Sequence, residues 1–84
     1  MFIVIWRDSA LNELADAFVR ADLLRRDTIE HAVMRLNAQL ASDPIDLGES
    51  RSGSQRVAFD KPCAITFLVD TTAGVVRVTH FRIY

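Results

Sequence analysis

The chain is 84 residues long, enough for one small domain and near the lower end of what folds alone. It is 50% hydrophobic and 25% charged, with net charge −1 and a pI of about 6.0, so it lacks the basic footprint by which nucleic-acid binders neutralise phosphates. No apolar run approaches the roughly 20 residues of a membrane span, and the expectation is a soluble, cytoplasmic protein.

Phe2 to Trp6 is an unbroken run of apolar β-formers. It is too short and lacks the basic flank for a signal peptide. Such a run predicts a strand covered on both faces, hence one inside a sheet. Asp8 or Ser9 can then cap a helix. Ala10, Leu11, Leu14, Ala15, Phe18 and Val19 recur at helical spacing, with Asn12, Glu13, Asp16 and Arg20 on the opposite face. Residues 20–27 extend that helix or form the bend of a helical hairpin, and Arg25-Arg26 reads as a solvated basic step. Asp27 followed by Glu30 resembles a capping box and places the start of a second helix at Thr28, with His31 on the surface of its first turn. Ile29, Val33, Leu36 and Leu40, with Ala32 beside them, mark that helix's buried stripe, and Ser42-Asp43-Pro44 stops it.

Residues 45–55 contain two glycines and three serines and read as a loop. Arg56 to Phe59 predicts a short strand, Asp60-Lys61-Pro62 a turn, and Cys63 to Val69 a further apolar strand. Cys63 is the only cysteine, so no intramolecular disulfide is possible, and its apolar setting marks a core thiol in a reducing compartment. Asp70 to Gly74 closes a hairpin and Val75 to Tyr84 is the last strand. No repeat or second domain is apparent. The order β-α-α-β-β-β predicts an α+β domain over residues 1–84, a helical hairpin packed on one face of a mainly antiparallel four-stranded sheet.

Several segments together resemble the RelE/ParE superfamily of bacterial type II toxins, some of which are described as plasmid-stabilisation proteins. Ile3 to Leu14 is similar to the family's opening strand and helix start. Ala32 to Leu40 with Asp43-Pro44 and Gly48 resembles its second helix and exit. Arg56 to Phe59, Ile65 to Asp70 and Val75 to His80 are similar to its later strands. The resemblance implies an antitoxin partner in either branch. RelE-like members cut mRNA on the ribosome, with basic and polar side chains on the concave sheet face. ParE-like members poison DNA gyrase. Where the family often carries an arginine early in the third strand, this chain has Ala64, and it has one lysine, Lys61, where the RNA-cutting branch is lysine-rich.

Two constellations are candidate sites. Period-2 alternation puts His80, Arg82 and Tyr84 on one face, continuing from Val76 and Val78. There a histidine base, an arginine on developing phosphate charge and a positioning tyrosine would suit 2′-OH attack on an adjacent phosphate. Glu49, Arg51, Arg56 and Lys61 form a second, binding constellation: either an anion or partner contact, or a Glu49–Arg51 or Glu49–Arg56 ion pair tethering the loop. His31 and His80 lack further ligands at metal spacing, and no phosphate-binding or nucleophile-elbow motif occurs, so neither metal nor cofactor is expected. The residues leave three readings: a ParE-like toxin acting through protein contacts, an RNA-cleaving RelE-like enzyme, or a non-toxic relative working as a homodimeric binding module. The high apolar content favours a partner, another protein or a second copy.

Overall fold

The first apolar run pairs with the last strand, and that long-range contact organises the fold. A computed structural model describes residues 1–50 and 53–84. The elements are β1 (Ile3–Trp6), α1 (Asp8–Arg20), α2 (Leu23–Ser42), β2 (Glu49–Ser50), β3 (Gln55–Asp60), β4 (Cys63–Asp70) and β5 (Val75–Ile83). The sheet order is β1-β5-β4-β3-β2, with β1 parallel to β5 and the other neighbours antiparallel. The α+β class and the helical hairpin on one sheet face are as expected. A short fifth strand, β2, lies inside the segment read as loop.

The first strand is not interior. β1 sits at the sheet edge, its Val4 and Trp6 side packed under the helices and its other side bare, with Ile3 66% and Ile5 44% exposed. Its apolarity on both faces therefore reports one packed face and one uncovered face.

The helix starts also differ from expectation. Arg7, not Asp8 or Ser9, is the N-cap of α1, and no side chain caps it. α2 begins five residues before Thr28: Asp22 is its N-cap and accepts from the Arg25 N–H at 2.8 Å, so the Asp27–Glu30 capping box does not form. The hairpin bend shrinks to Ala21-Asp22. Arg26 is not a free solvated charge. Its guanidinium donates to the Phe18 and Val19 carbonyls at 2.8 and 3.3 Å, satisfying the end of α1. His31, two turns into the helix, is exposed and has Nδ1 2.8 Å from the Asp27 carbonyl oxygen.

Packing follows the stripe read for α2, where Ile29, Ala32, Leu36 and Leu40 are fully buried. α1 buries a narrower stripe than its composition suggests. Ala10 is buried and Leu14, Ala17 and Phe18 half-buried, while Leu11, Ala15 and Val19 face outward because sheet and α2 lie on one side only. Ala58, Cys63, Ile65, Phe67, Val76, Val78 and Phe81 supply the sheet side of the core. Gly48 is required where it stands: φ is +73°, and a Cβ there would collide with the Val57 carbonyl. Among the described residues no helix is long and apolar enough to cross a membrane.

Candidate functional site

The core-directed hydrophobic positions of β5 run Val76, Val78, Phe81, Ile83, a step of two, then three, then two. The step of three is a β-bulge. Phe67 pairs with Val78 and Thr66 with His80, leaving Thr79 as the extra residue. Adjacent residues of β4 point to opposite faces. Val76 and Val78 therefore point into the core, while His80 and Arg82 point to the helix-free face. This corrects the simple alternation, which placed all of them on one face. The Thr79 hydroxyl donates to the Thr66 carbonyl at 3.2 Å and holds the bulge in place.

The bulge coincides with a change of neighbour. Up to Val78 the outer edge of β5 is paired with β1, ending with the Arg7 N–H on the Val78 carbonyl at 2.9 Å. Beyond that point the chain of β1 has turned into α1, and helix side chains replace strand backbone. Ser9 Oγ donates to the Thr79 carbonyl at 2.8 Å, and Glu13 Oε1 accepts from the Phe81 N–H at 3.2 Å. The same Glu13 oxygen lies 3.3 Å from His80 Nδ1.

The result is a shallow hollow of about 330 Å³ on the open face. Ala64, Thr66 and Val57 form its floor, with His80, Arg82 and Glu13 around it. Ala64 is what makes the floor low, since it pairs with Arg82 on one side and Phe59 on the other. Chemically the hollow offers a carboxylate-oriented imidazole and a guanidinium. With Nδ1 turned to Glu13, the Nε2 of His80 is the nitrogen left for other chemistry. Sequence reads Ser9 as a candidate helix cap and Glu13 as part of a polar helix face, and places neither at this site, since their partners lie about 70 positions away in the chain. The two-three-two spacing in β5 was the one local signal available.

The other sequence candidates are scattered. Tyr84 lies beyond the hollow, half-exposed and edge-on to Phe59 with ring centroids 5.4 Å apart. Glu49 pairs with Val57 and Ser50 with Arg56, so Glu49 and Arg56 belong to opposite faces and form no ion pair. Arg56 instead donates to Ser50 Oγ at 3.1 Å, and its Nε is buried without a partner. Arg51 lies outside the described residues. Lys61 is exposed on the β3–β4 turn, beside Pro62 and Tyr84 in a depression remote from Glu49 and Arg56 along the sheet. Among the described residues, Glu49, Arg56 and Lys61 are therefore not brought together. Among the described residues no group of His, Cys, Asp and Glu could hold a metal ion.

One ion pair stands out in geometry. Arg35 of α2 binds Asp60 bidentately, both contacts at 2.8 Å. Those hydrogen bonds hold the Asp60 carboxyl below its ordinary value, against the opposing effect of partial burial. Cys63, paired with Asp60, is fully buried, and burial pushes its thiol up to about 11, with the Asp60 charge adding to the rise. It is a core residue and no nucleophile.

No family model and no curated protein matches the sequence. Solved structures match the fold over its whole length. The toxin–antitoxin complex RelBE2 from Mycobacterium tuberculosis contains a chain with TM-score 0.79 at 13% identity, covering 99% of this chain and 91% of that one. The intact E. coli RelBE toxin–antitoxin complex gives 0.71 at 12% identity, covering 100% and 98%. The chromosomal ParDE system of P. aeruginosa gives 0.71 at 15% identity, covering 99% and 96%. The fold is that of the RelE/ParE toxins, and structures from both branches share it.

Proposed function

We propose that this chain, built on the RelE/ParE fold, is the toxin-like component of a type II toxin–antitoxin pair, held by an antitoxin protein and acting through protein–protein contacts in the manner of the ParE branch. The supporting observation is that, among the described residues, few cations are available on the open sheet face. Arg82 stands alone at the hollow, over an alanine floor. Arg77 on the same face has Asp70 within 4.0 Å, and Arg56 is turned to the other face. Grip on an RNA strand grows with the number of phosphates neutralised, so one guanidinium holds it weakly. Apolar groups suit a protein target better: Ile3, Ile5 and Phe59 are exposed on that face, and Val19, Leu23 and Leu24 at the hairpin tip.

Induced expression in a bacterial host tests the reading. Growth arrest with filamentation, DNA damage and intact mRNA supports it, with DNA gyrase as the target to assay. Co-expression of the product of a neighbouring short reading frame should restore growth.

A second reading, a ribosome-dependent endoribonuclease, has one observation in its favour: the Glu13–His80 contact beside Arg82. In that case His80 Nε2 takes the proton of a 2′-OH, whose oxygen attacks the adjacent phosphorus as the P–O5′ bond breaks and the leaving 5′-oxygen takes a proton from water, giving a 2′,3′-cyclic phosphate, while Arg82 stabilises charge on the phosphate. Cleaved mRNA, lost in both His80→Ala and Arg82→Ala, would select it. Harmless expression would set aside both toxin readings and leave the homodimeric binding module.

A further inference from the structure

The outer edge of β5 remains uncovered past Phe81, and it borders a cleft. Tyr84 N–H donates back toward β4, to the Pro62 carbonyl at 3.0 Å, whereas Phe81 N–H points away from β4 to Glu13. Groups on one strand alternate in direction, so Ile83 N–H and C=O and Phe81 C=O also point outward. Among the described residues they meet no partner, since β1 stops opposite Val78. The cleft beside this edge is about 640 Å³ and lies between α1 and the start of α2. Ala17, Ala21 and Ile29 give it an apolar lining on the helix side.

Its charge is uneven in availability. Glu13 and Asp16 are the acidic residues lining it, and Arg20, Arg25 and Arg82 the basic ones. Glu13 is engaged by Phe81 N–H and faces His80, and Asp16 lies 3.3 Å from Arg20. Arg25 and Arg82 have no acidic partner among the described residues.

We infer that this cleft docks an extended acidic segment of a partner protein, which adds as a strand to the free edge of β5 at Phe81–Ile83. Main-chain hydrogen bonds to Phe81 C=O and to both Ile83 groups set its register. An apolar side chain enters against Ala17 and Ile29, and carboxylates on the alternate positions meet Arg25 and Arg82. An unpaired edge is otherwise a liability for aggregation, which a pairing segment removes. The inference rests on the reading above only in taking the partner to be a protein, and it does not require toxicity.

The test is a titration of the full chain with a labelled, N-acetylated decapeptide that alternates glutamate with valine, followed by fluorescence anisotropy and by amide NMR shifts at Phe81–Ile83. Saturable binding is expected, with shifts confined to this edge and the Ala17–Arg25 region. Two controls read the mechanism. A peptide N-methylated on every second amide, made in both registers, should bind at least tenfold more weakly in one register or both. Arg25→Glu with Arg82→Glu should weaken the glutamate peptide at least tenfold and strengthen its lysine counterpart. Both arginines are exposed, and an unchanged amide spectrum elsewhere establishes folding. No saturable binding, binding insensitive to N-methylation and to charge reversal, or tighter binding of a single-stranded RNA decamer overturns the proposal. Toxicity is scored separately: a toxic chain with a flat titration loses only this site, and a harmless chain that binds the peptide keeps it.

Discussion

The two halves of β5 carry similar sequence and lead different lives. Val75 to Val78 lies between β1 and β4, with Val76 and Val78 fully buried beneath the helices. Thr79 to Ile83 keeps β4 on one side but has only Ser9 and Glu13 of α1 on the other. The bulge at Thr79 separates the halves. It admits one extra residue while keeping Phe81 and Ile83 directed at the core, and it leaves His80 and Arg82 on the open face. A strand can thus serve as core and as site-bearing edge if its backbone partner changes midway. The exposed half retains donors and acceptors that the buried half has spent on pairing.

The largest effect that sharpens this contrast is a charge in the first half. Val78→Asp should destabilise the fold by at least about 4 kcal/mol in urea unfolding, since an unpaired carboxylate would be buried there. His80→Asp, two residues on and exposed, should change stability by less than about 1 kcal/mol. Similar costs at the two positions would break the comparison.

Removing the bulge probes its cause. Deletion of Thr79 should cost about 1–2 kcal/mol with the fold retained, since it loses the bonds to Thr66 and Ser9 while the shortened strand still alternates core and open positions. A deletion that abolishes folding would mean that the extra residue sets the register of the whole sheet.

The cap at the hairpin bend is the next in size. Asp22→Ala should cost about 1 kcal/mol and fray the first turn of α2, which forms one wall of the cleft. Amide exchange at Leu24 to Arg26 should rise while Val76 and Val78 stay protected.

Acidification should act on the second half first. Asp60, Cys63 and Ile83 form one row across the sheet, and Arg35 clamps Asp60 to α2. The folded carboxyl titrates below its unfolded value of 3.8 because of that clamp. The clamp's stabilisation is therefore complete above about pH 4 and is lost as pH falls through the lowered folded value. Exchange at Arg82, taken relative to its intrinsic rate at each pH, should quicken below pH 4 in the parent, and Asp60→Asn should flatten that dependence. Cys63 in the same row should resist iodoacetamide at pH 8 until the chain is unfolded, since its thiol is buried and raised to about 11.

Much of this arrangement was legible in the residues. The α2 stripe of Ile29, Leu36 and Leu40, the buried Cys63 and the hairpin closing at Gly74 all follow from local pattern. Position-specific partners were harder. The bulge leaves its mark as the spacing Val78 to Phe81, but alternation alone passes over it. The pairing of Glu13 with Phe81 and His80 has no sequence signature, because a glutamate on a helix's polar face looks like any solvated one. The start of α2 differs because Asp22 and Asp27 are both credible caps, and only the folded bend, where Asp22 caps Arg25 and Arg26 reaches back to the Phe18 and Val19 carbonyls, selects the first.

By itself the sequence determined that there are two helices and four longer strands in this order, which stripe of α2 is buried, and that Cys63 has no partner thiol. Those features depend on neighbours within a few residues, where spacing is information. The tertiary structure alone decided that β1 lies at an edge, that β5 changes partner at Thr79, and that Arg82, His80 and Glu13 share one hollow. Those outcomes depend on contacts between residues some 70 positions apart, and closing such a loop is decided by the summed burial of the whole core rather than by any local pattern.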